Sequence, residues 1–146
     1  MKRVYIFAIG LMFMALPALA ASVDRSAALS SLNILRENRN LASLRYSTAL
    51  EKSARRHAED MVRNGFVSHT GSDGSDAGAR LVRGGYSWCA YAENIAAGLS
   101  SQGEVMKAWY KSRDHRKNLL NRHVSEFALV RAANDIWVMV LARPGC

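Results

Sequence analysis

The chain has 146 residues, of which 49% are hydrophobic and 22% charged, and its formal net charge is +8 at pH 7. This composition is typical of one globular domain and excludes a disordered or fibrous chain. The positive charges are scattered and have no aromatic residues interleaved with them, so the sequence does not indicate a nucleic-acid-binding protein. The positive charge either favours attraction to anionic envelope polymers or lipid headgroups, or simply belongs to a solvated surface.

The first 20 residues have the pattern of an export signal. Lys2 and Arg3 precede an apolar run at positions 4–16, and Ala18-Leu19-Ala20 is a small-residue cleavage site. This pattern predicts a cleaved signal peptide at 1–20 and a mature domain at 27–146, secreted or periplasmic in a bacterium. A retained anchor needs about 20 apolar residues, and the run is shorter. Cleavage lowers the charge from +8 to +6 and leaves no transmembrane segment.

Cys89 and Cys146 are the two cysteines of the chain. An even number of cysteines in an exported protein favours a disulfide, which would tie the middle of the chain to its last residue. Two free thiols are the alternative. We expect the bridge to lie beside Glu93 and to steady that part of the molecule.

Hydrophobic spacing predicts helices in the first part of the chain and again before its end. The predicted helices cover 27–38, 48–64, 76–83 and 102–112, with Thr48 and Glu51 as a capping box for the second. An extended segment is expected at 86–91, with Glu93 and Asn94 following it. Two β-like runs, 127–132 and 136–142, read as a hairpin at the end of the chain.

Several polar residues have simple structural interpretations. His57 lies on the apolar stripe of the second helix and is expected to be a buried, hydrogen-bonded histidine. Asp60 reads as a surface charge, and Glu104 as a residue that offsets a helix dipole. Arg116 is expected to pair with an acidic neighbour. Two asparagines are expected to satisfy buried backbone groups: Asn94 and Asn118.

Short motifs in a fixed order carry a family resemblance. They are Leu32-Asn33-x-x-Arg36, Ala54-Arg55-x-His57-Ala58-x-x-Met61, Ser68-His69-Thr70-Gly71-Ser72-Asp73-Gly74, Gly85-Tyr86, Glu93-Asn94-Ile95-Ala96, Trp109, His115-Arg116-x-Asn118-Leu119-Leu120 and Trp137. Together they resemble the bacterial secreted branch of the CAP superfamily, the SCP-like or TAPS proteins. The resemblance covers residues 32–141, nearly the whole mature chain.

The resemblance implies an α+β fold, a three-layer α-β-α sandwich with a small antiparallel sheet. It also implies a cleft lined by a His-Glu-Glu-His tetrad, whose first histidine falls on His69, first glutamate on Glu93 and last histidine on His115. Ser112 stands where the second glutamate is expected. Lipid or sterol binding is what the resemblance to some members implies.

The three matched residues allow three interpretations. Two imidazoles and one carboxylate leave the fourth position of a tetrahedral divalent metal such as zinc open. Without a metal, Glu93 can orient an imidazole as a general base towards water. In the third interpretation, the histidines only link loops to the core.

No segment carries a self-sufficient catalytic motif such as GxSxG or HExxH. We therefore expect a secreted binding module, with no required cofactor, whose cleft of His69, Glu93, Ser112 and His115 binds a metal, a small molecule or a lipid. The alternative is a hydrolase, a peptidase or an envelope-degrading enzyme, that uses the same histidines and glutamate. A purely structural protein is the third possibility.

Overall fold

The computed structural model describes residues 22–146, so the predicted signal peptide lies outside the described residues. The elements in chain order are α1 (Arg25–Glu37), β1 (Arg45–Tyr46), α2 (Thr48–Asn64), α3 (Ala77–Arg83), β2 (Trp88–Ala96), α4 (Gln102–Lys111), α5 (Arg113–Leu119), β3 (Glu126–Ala132) and β4 (Ile136–Pro144). A short 3-10 turn, Ala133–Asp135, connects β3 to β4. None of the helices in this part of the chain is both long and apolar enough to cross a bilayer.

One four-stranded sheet separates two helical layers. Its strand order is β1-β3-β4-β2, with β1 parallel to β3 and the other neighbours antiparallel. Alternate residues of a strand face opposite sides of a sheet. Accordingly, Trp137 and Met139 of β4 pack with α1, α4 and α5, whereas Val138 and Val140 pack with α2 and α3. The predicted α+β class and the α-β-α sandwich are confirmed.

The predicted helices are present with small differences at their ends. Helix α2 runs from Thr48 to Asn64 and ends at Gly65, whose φ of 66° is the left-handed conformation that glycine adopts without strain. The predicted capping role of Thr48 is wrong, because the Ser47 side chain accepts from the backbone N–H of Leu50. The fourth predicted helix ends at Lys111, so Ser112 lies between α4 and α5.

One local prediction is wrong, and two elements were not predicted. Glu93 and Asn94 do not follow an extended segment, because they lie inside the long strand β2. A fifth helix, α5, covers positions that showed no clear apolar stripe, and it carries His115 and Asn118. The two-residue strand β1 was not predicted, since a strand this short has no detectable alternation.

The Cys89–Cys146 disulfide is confirmed. Cys89 lies near the start of β2 and Cys146 follows the end of the antiparallel neighbour β4, which brings the two Cα atoms to 5.4 Å. The bridge therefore joins the edge strand that carries Glu93 to the central part of the sheet.

Candidate functional site

The candidate site is built around two consecutive residues of β2, Glu93 and Asn94. Both side chains are buried, with exposures of 7% and 0%. Because consecutive strand residues face opposite sides of a sheet, Glu93 meets groups from the α2 and α3 side, whereas Asn94 meets α5. The site therefore has two halves, which we name the Glu93 half and the Asn94 half.

In the Glu93 half, both carboxylate oxygens have cationic or imidazole partners. His69 Nδ1 donates to Glu93 Oε1 at 2.8 Å, and Arg80 Nη2 donates to Oε2 at 2.8 Å. The other terminal nitrogen of Arg80 donates to the carbonyls of His69 (3.0 Å) and Ser75 (2.8 Å). Arg80 thus binds the carboxylate and also holds the loop that presents His69.

His57 lies beneath this carboxylate, as predicted for a histidine on the apolar stripe of α2. Its ring is buried, with Nε2 at 2.9 Å from the carbonyl of Ser68 and 4.0 Å from Glu93 Oε1. A carbonyl oxygen only accepts hydrogen bonds, so Nε2 carries the proton. The other ring nitrogen, Nδ1, is buried and has no hydrogen-bond partner among residues 22–146.

In the Asn94 half, neutral groups replace the charges. Asn94 donates to the carbonyl of His115 at 3.1 Å, while Asn118 donates to Asn94 Oδ1 at 2.8 Å and to the Glu93 carbonyl at 3.1 Å. This confirms that the two asparagines satisfy backbone groups. His115 Nδ1 is hydrogen-bonded to Ser112 Oγ at 2.9 Å. Ser112 lies three residues before His115 and thus holds its imidazole in place.

The two candidate histidines have pKa values shifted in opposite directions. The hydrogen bond to Glu93 raises the pKa of His69. Burial lowers the pKa of His115, and the nearby charge of His69 lowers it further. Compared with a free histidine, His69 therefore holds its proton more readily and His115 loses it more readily. Burial also lowers the pKa of His57.

The structure brings His69 and Glu93 into contact, whereas the imidazole of His115 is hydrogen-bonded to Ser112 and not to Glu93. Among residues 22–146 no three His, Cys, Asp or Glu side chains form a group that could hold a metal ion. Both oxygens of Glu93 are already engaged, one by His69 and the other by Arg80. In this arrangement, the donor set does not fit the three-ligand zinc site expected from the sequence.

Arg80 is the principal residue that sequence reasoning missed. It is one of many arginines in a basic chain, and α3 has only seven residues. The signal that points to it is indirect: a carboxylate inside a strand requires a cation or hydrogen-bond donors. A family tetrad names only residues that face the cleft, so it does not reveal this partner.

Two charged side chains have contacts that the sequence did not indicate. Asp60 lies at the surface, and it accepts from the backbone N–H (2.9 Å) and the hydroxyl (2.6 Å) of Ser72 and so anchors the loop after His69. Arg116 does not pair with an acid but donates to the carbonyl of Tyr110 at 3.0 Å. Glu104 forms the capping box of α4 with Ser101 and takes no part in the site.

Comparisons with known proteins agree on one family. The family model of cysteine-rich secretory proteins (CAP) matches residues 29–140. The Bacillus subtilis (strain 168) protein YkwD is 35% identical over 89 residues, which cover 61% of this chain and 35% of YkwD. The chain thus spans about a third of the length of that curated relative.

Solved structures show the same fold. An extracellular protein from Bacillus anthracis that contains an SCP domain matches with a TM-score of 0.76 and 29% identity, over 81% of this chain and 39% of that chain. An outer surface protein from Borrelia burgdorferi matches with a TM-score of 0.75 over 87% of this chain and 100% of that chain. Its identity is 22%, so this second likeness concerns the fold alone.

Proposed function

The chain belongs to the cysteine-rich secretory protein (CAP) family, and from this premise we propose that it is an exported binding module whose ligand contacts the imidazoles of His69 and His115. The observation that carries this proposal is the difference in hydrogen bonding between Glu93 and the two histidines. Both oxygens of Glu93 are engaged inside the protein, whereas Nε2 of each histidine makes no hydrogen bond within residues 22–146. Glu93 is a fixed support, and the two imidazoles are the groups that a ligand can reach.

The opposite pKa shifts give the two imidazoles different roles. His69 has a raised pKa and a side chain that is 62% exposed, and when its ring is protonated the outward Nε2–H is a cationic donor. His115, with a lowered pKa, presents a neutral ring whose Nδ1 is held by Ser112. A small polar ligand or a lipid headgroup with an acceptor towards His69 suits this pair.

A divalent metal such as zinc is the second ligand class, and Arg80 limits it. Zinc needs neutral imidazole and a free carboxylate oxygen. The guanidinium of Arg80 lies 2.8 Å from Glu93 Oε2, and the raised pKa of His69 makes its proton harder to displace. We therefore expect zinc to bind weakly, through the histidines, and not to be a resident cofactor.

A hydrolase is the alternative function, and the Glu93–His69 hydrogen bond is the observation that favours it. A carboxylate that binds Nδ1–H orients an imidazole so that Nε2 faces outward as a general base. The raised pKa of His69 reduces the fraction of the ring that is deprotonated, and therefore able to act as a base, at a given pH. No serine or cysteine nucleophile lies in a recognisable motif, and Cys89 is in the disulfide. The geometry therefore favours binding over turnover.

Export is supported by two lines of argument. The sequence has a signal-peptide pattern ending at Ala20, and the similar SCP-domain protein of Bacillus anthracis is described as extracellular. We expect a secreted or periplasmic domain with an envelope or extracellular ligand and no nucleic-acid partner. Intact-mass analysis of the exported protein tests this: loss of residues 1–20 is expected, and retention of Met1 would contradict it.

The binding site is tested by imidazole NMR spectra of the mature protein, recorded during separate titrations with zinc chloride and with vesicles of anionic phospholipid. The expected result is that at least one probe shifts the ring signals of His69 and His115 together. His123, an exposed histidine outside both halves, is the internal control. If neither probe shifts the two rings more than His123, the proposed cleft does not bind these ligand classes. Steady hydrolysis of peptide or cell-wall substrates, lost in His69→Gln, would favour the alternative function.

A further inference from the structure

Positive charge is concentrated in the segment that contains most of α4 and all of α5. Residues 107–122 include six lysines and arginines and a single acid, Asp114, so their net charge is +5. The whole chain after the predicted cleavage carries +6. The rest of the mature chain is therefore nearly neutral, and cations that look scattered in the sequence belong mainly to one part of the fold.

The two helices each place three of these residues on one face. In α4, Lys107, Tyr110 and Lys111 have the i, i+3, i+4 spacing that brings side chains together on a helix. In α5 the same spacing recurs in a set that is wholly cationic: Arg113, Arg116 and Lys117. Both lysines of α4 and Lys117 are exposed. Each helix therefore presents a cationic face.

Tyr110 joins the two helical faces into one surface. Arg116 Nη1 donates to the Tyr110 carbonyl at 3.0 Å, and its guanidinium lies 5.8 Å from the centre of the tyrosine ring. From the loop after α1, Arg39 Nη2 reaches the Tyr110 hydroxyl at 3.5 Å. We name the resulting surface the α4–α5 basic face, with these cationic members: Arg39, Lys107, Lys111, Arg113, Arg116 and Lys117.

The cations of the α4–α5 basic face have no acidic partner within residues 22–146. Each salt bridge of that part of the chain joins residues from other regions. Asp114 belongs to none of them, and Glu104 is held in the capping box of α4. In contrast, Arg63 and Arg83 of the opposite layer pair with aspartates. Uncompensated charge of one sign on a surface attracts a partner of the opposite sign.

The shape and composition of this face indicate the kind of anionic partner. Three cavities in the described chain are lined by other residues, which favours a broad contact over a pocket for a small anion. Tyr110 is the one exposed large hydrophobic residue of positions 107–122. A helical surface that inserts into a bilayer has several such side chains. These observations favour a polymer that offers many charges and needs no apolar contact.

We propose that the α4–α5 basic face binds a linear anionic polymer of the envelope or the extracellular space, with several of its charged groups in contact at once. Cations spread over two helices can contact successive oxyanions of one polymer chain, so the affinity increases with the number of groups engaged. Guanidinium and ammonium groups both bind such oxyanions. The contacts do not involve the imidazoles of His69 and His115, so this inference does not depend on the proposed function of the cleft.

Calorimetric titration of the mature protein with sodium polyphosphate, a linear polymer of anionic groups without an apolar part, tests this proposal. Polyphosphate should bind, with an affinity that falls steeply as salt is added, because each neutralised group releases counterions. Orthophosphate at the same total phosphate concentration should not bind measurably. Equal binding of orthophosphate would indicate a small-anion site, and binding of anionic phospholipid vesicles without polyphosphate would indicate a bilayer partner. Either result, or no binding of polyphosphate, would overturn the proposal.

Two double variants assign the binding to the face. Lys107→Gln/Lys111→Gln should weaken polyphosphate binding about tenfold or more at low salt, because two contacts are lost. Lys52→Gln/Arg56→Gln is the matched control, since it removes two exposed cations with the same spacing from α2 and changes the net charge equally. None of the four residues takes part in a salt bridge within 22–146, and urea denaturation confirms that both variants fold. Equal loss of affinity in the two variants would show that the polymer responds to net charge and not to this face.

Discussion

Each half of the site contains a buried polar side chain of strand β2, and the two side chains are stabilised by different kinds of partner. Glu93 brings a buried charge, and Arg80 and His69 neutralise it through hydrogen bonds of 2.8 Å each. Asn94 brings a buried amide, and Asn118 and the His115 carbonyl satisfy it without any charge. Consecutive residues of one strand therefore have environments with opposite electrostatic character.

The difference indicates which half should be sensitive to changes in charge and pH. A buried ion pair depends on both partners, because removal of one leaves an uncompensated charge. A neutral amide network loses only hydrogen bonds when one member is removed. We therefore expect the Glu93 half to be sensitive to charge and pH, and the Asn94 half to be sensitive mainly to shape.

The largest effect is expected for Glu93→Gln, which removes the carboxylate from Arg80. The free energy of unfolding should fall by roughly 3–5 kcal/mol, because the guanidinium stays partly buried without a counter-charge. Urea denaturation of the mature protein measures this change. The double variant Glu93→Gln/Arg80→Gln is the control and should recover part of the loss. A loss below about 1 kcal/mol would mean that the pair behaves like an exposed salt bridge.

A smaller loss is expected for Asn118→Ala, the corresponding change in the Asn94 half. The substitution removes the donor to Asn94 Oδ1 and to the Glu93 carbonyl, at a cost of about 1–3 kcal/mol. The loss should be the same at low and high salt, as no charge is involved. Denaturation curves at two salt concentrations measure it, and a marked dependence on salt would erase the distinction between the halves.

The pH dependence should have opposite signs in His69→Gln and His115→Gln. The raised pKa of His69 means that its stabilising contribution is present below about pH 6.5, the unfolded value, and disappears as pH rises through the higher folded pKa. The lowered pKa of His115 means that acidification below about pH 6.5 costs stability, because the fold favours the neutral ring.

Stability measured from pH 5 to 8 for wild type and both variants tests this. The advantage of wild type over His69→Gln should shrink as pH rises, whereas its advantage over His115→Gln should shrink as pH falls. Because His57 is present in all three proteins, its own titration cancels in these differences. Parallel curves for wild type and both variants would show that the two histidines have the same environment.

The smallest effect concerns zinc, for which Arg80 competes at Glu93. Wild type should bind zinc weakly. The affinity for zinc should fall further in His69→Ala and His115→Ala but change little in His57→Ala. Arg80→Gln should strengthen binding by roughly tenfold, comparable to the effect of residues that surround a metal site. Calorimetry measures it, with Arg83→Gln as the matched change one turn along α3. Equal affinity in Arg80→Gln and Arg83→Gln would show that Arg80 does not limit metal binding.

The sequence was sufficient for elements with a clear periodicity and for residues that belong to known motifs. The stripe of α2, the final hairpin and the burial of His57 follow from spacing alone, and His69, Glu93 and His115 follow from the family resemblance. The different surroundings of Glu93 and Asn94 did not follow, because Glu93-Asn94 lacks the apolar alternation that marks a strand. Without the strand, nothing indicated that Glu93 and Asn94 face opposite sides of the sheet.

Buried arginines were the other feature beyond the reach of the sequence. Arg36 is 1% exposed and donates to the carbonyls of Ala42, Leu119 and Asn121, yet in the sequence it resembles any other charge on an amphipathic helix. Arg80 differs from Arg83 only in its position along α3. Long-range contacts of this kind depend on which loop ends near which helix, and local patterns contain no information about that.

Strand β2 is at the edge of its sheet, and two of its carbonyl groups accept hydrogen bonds from side chains that lie outside the sheet. Asn118 donates to the carbonyl of Glu93, and the indole N–H of Trp109 donates to that of Ile95 at 3.3 Å. Residues two apart direct their carbonyls to the same edge of a strand. Helices α4 and α5 thereby occupy acceptors that a strand from another molecule would need for edge-to-edge aggregation. The asparagine that completes the neutral half of the site thus also helps to keep the domain from polymerising through its sheet.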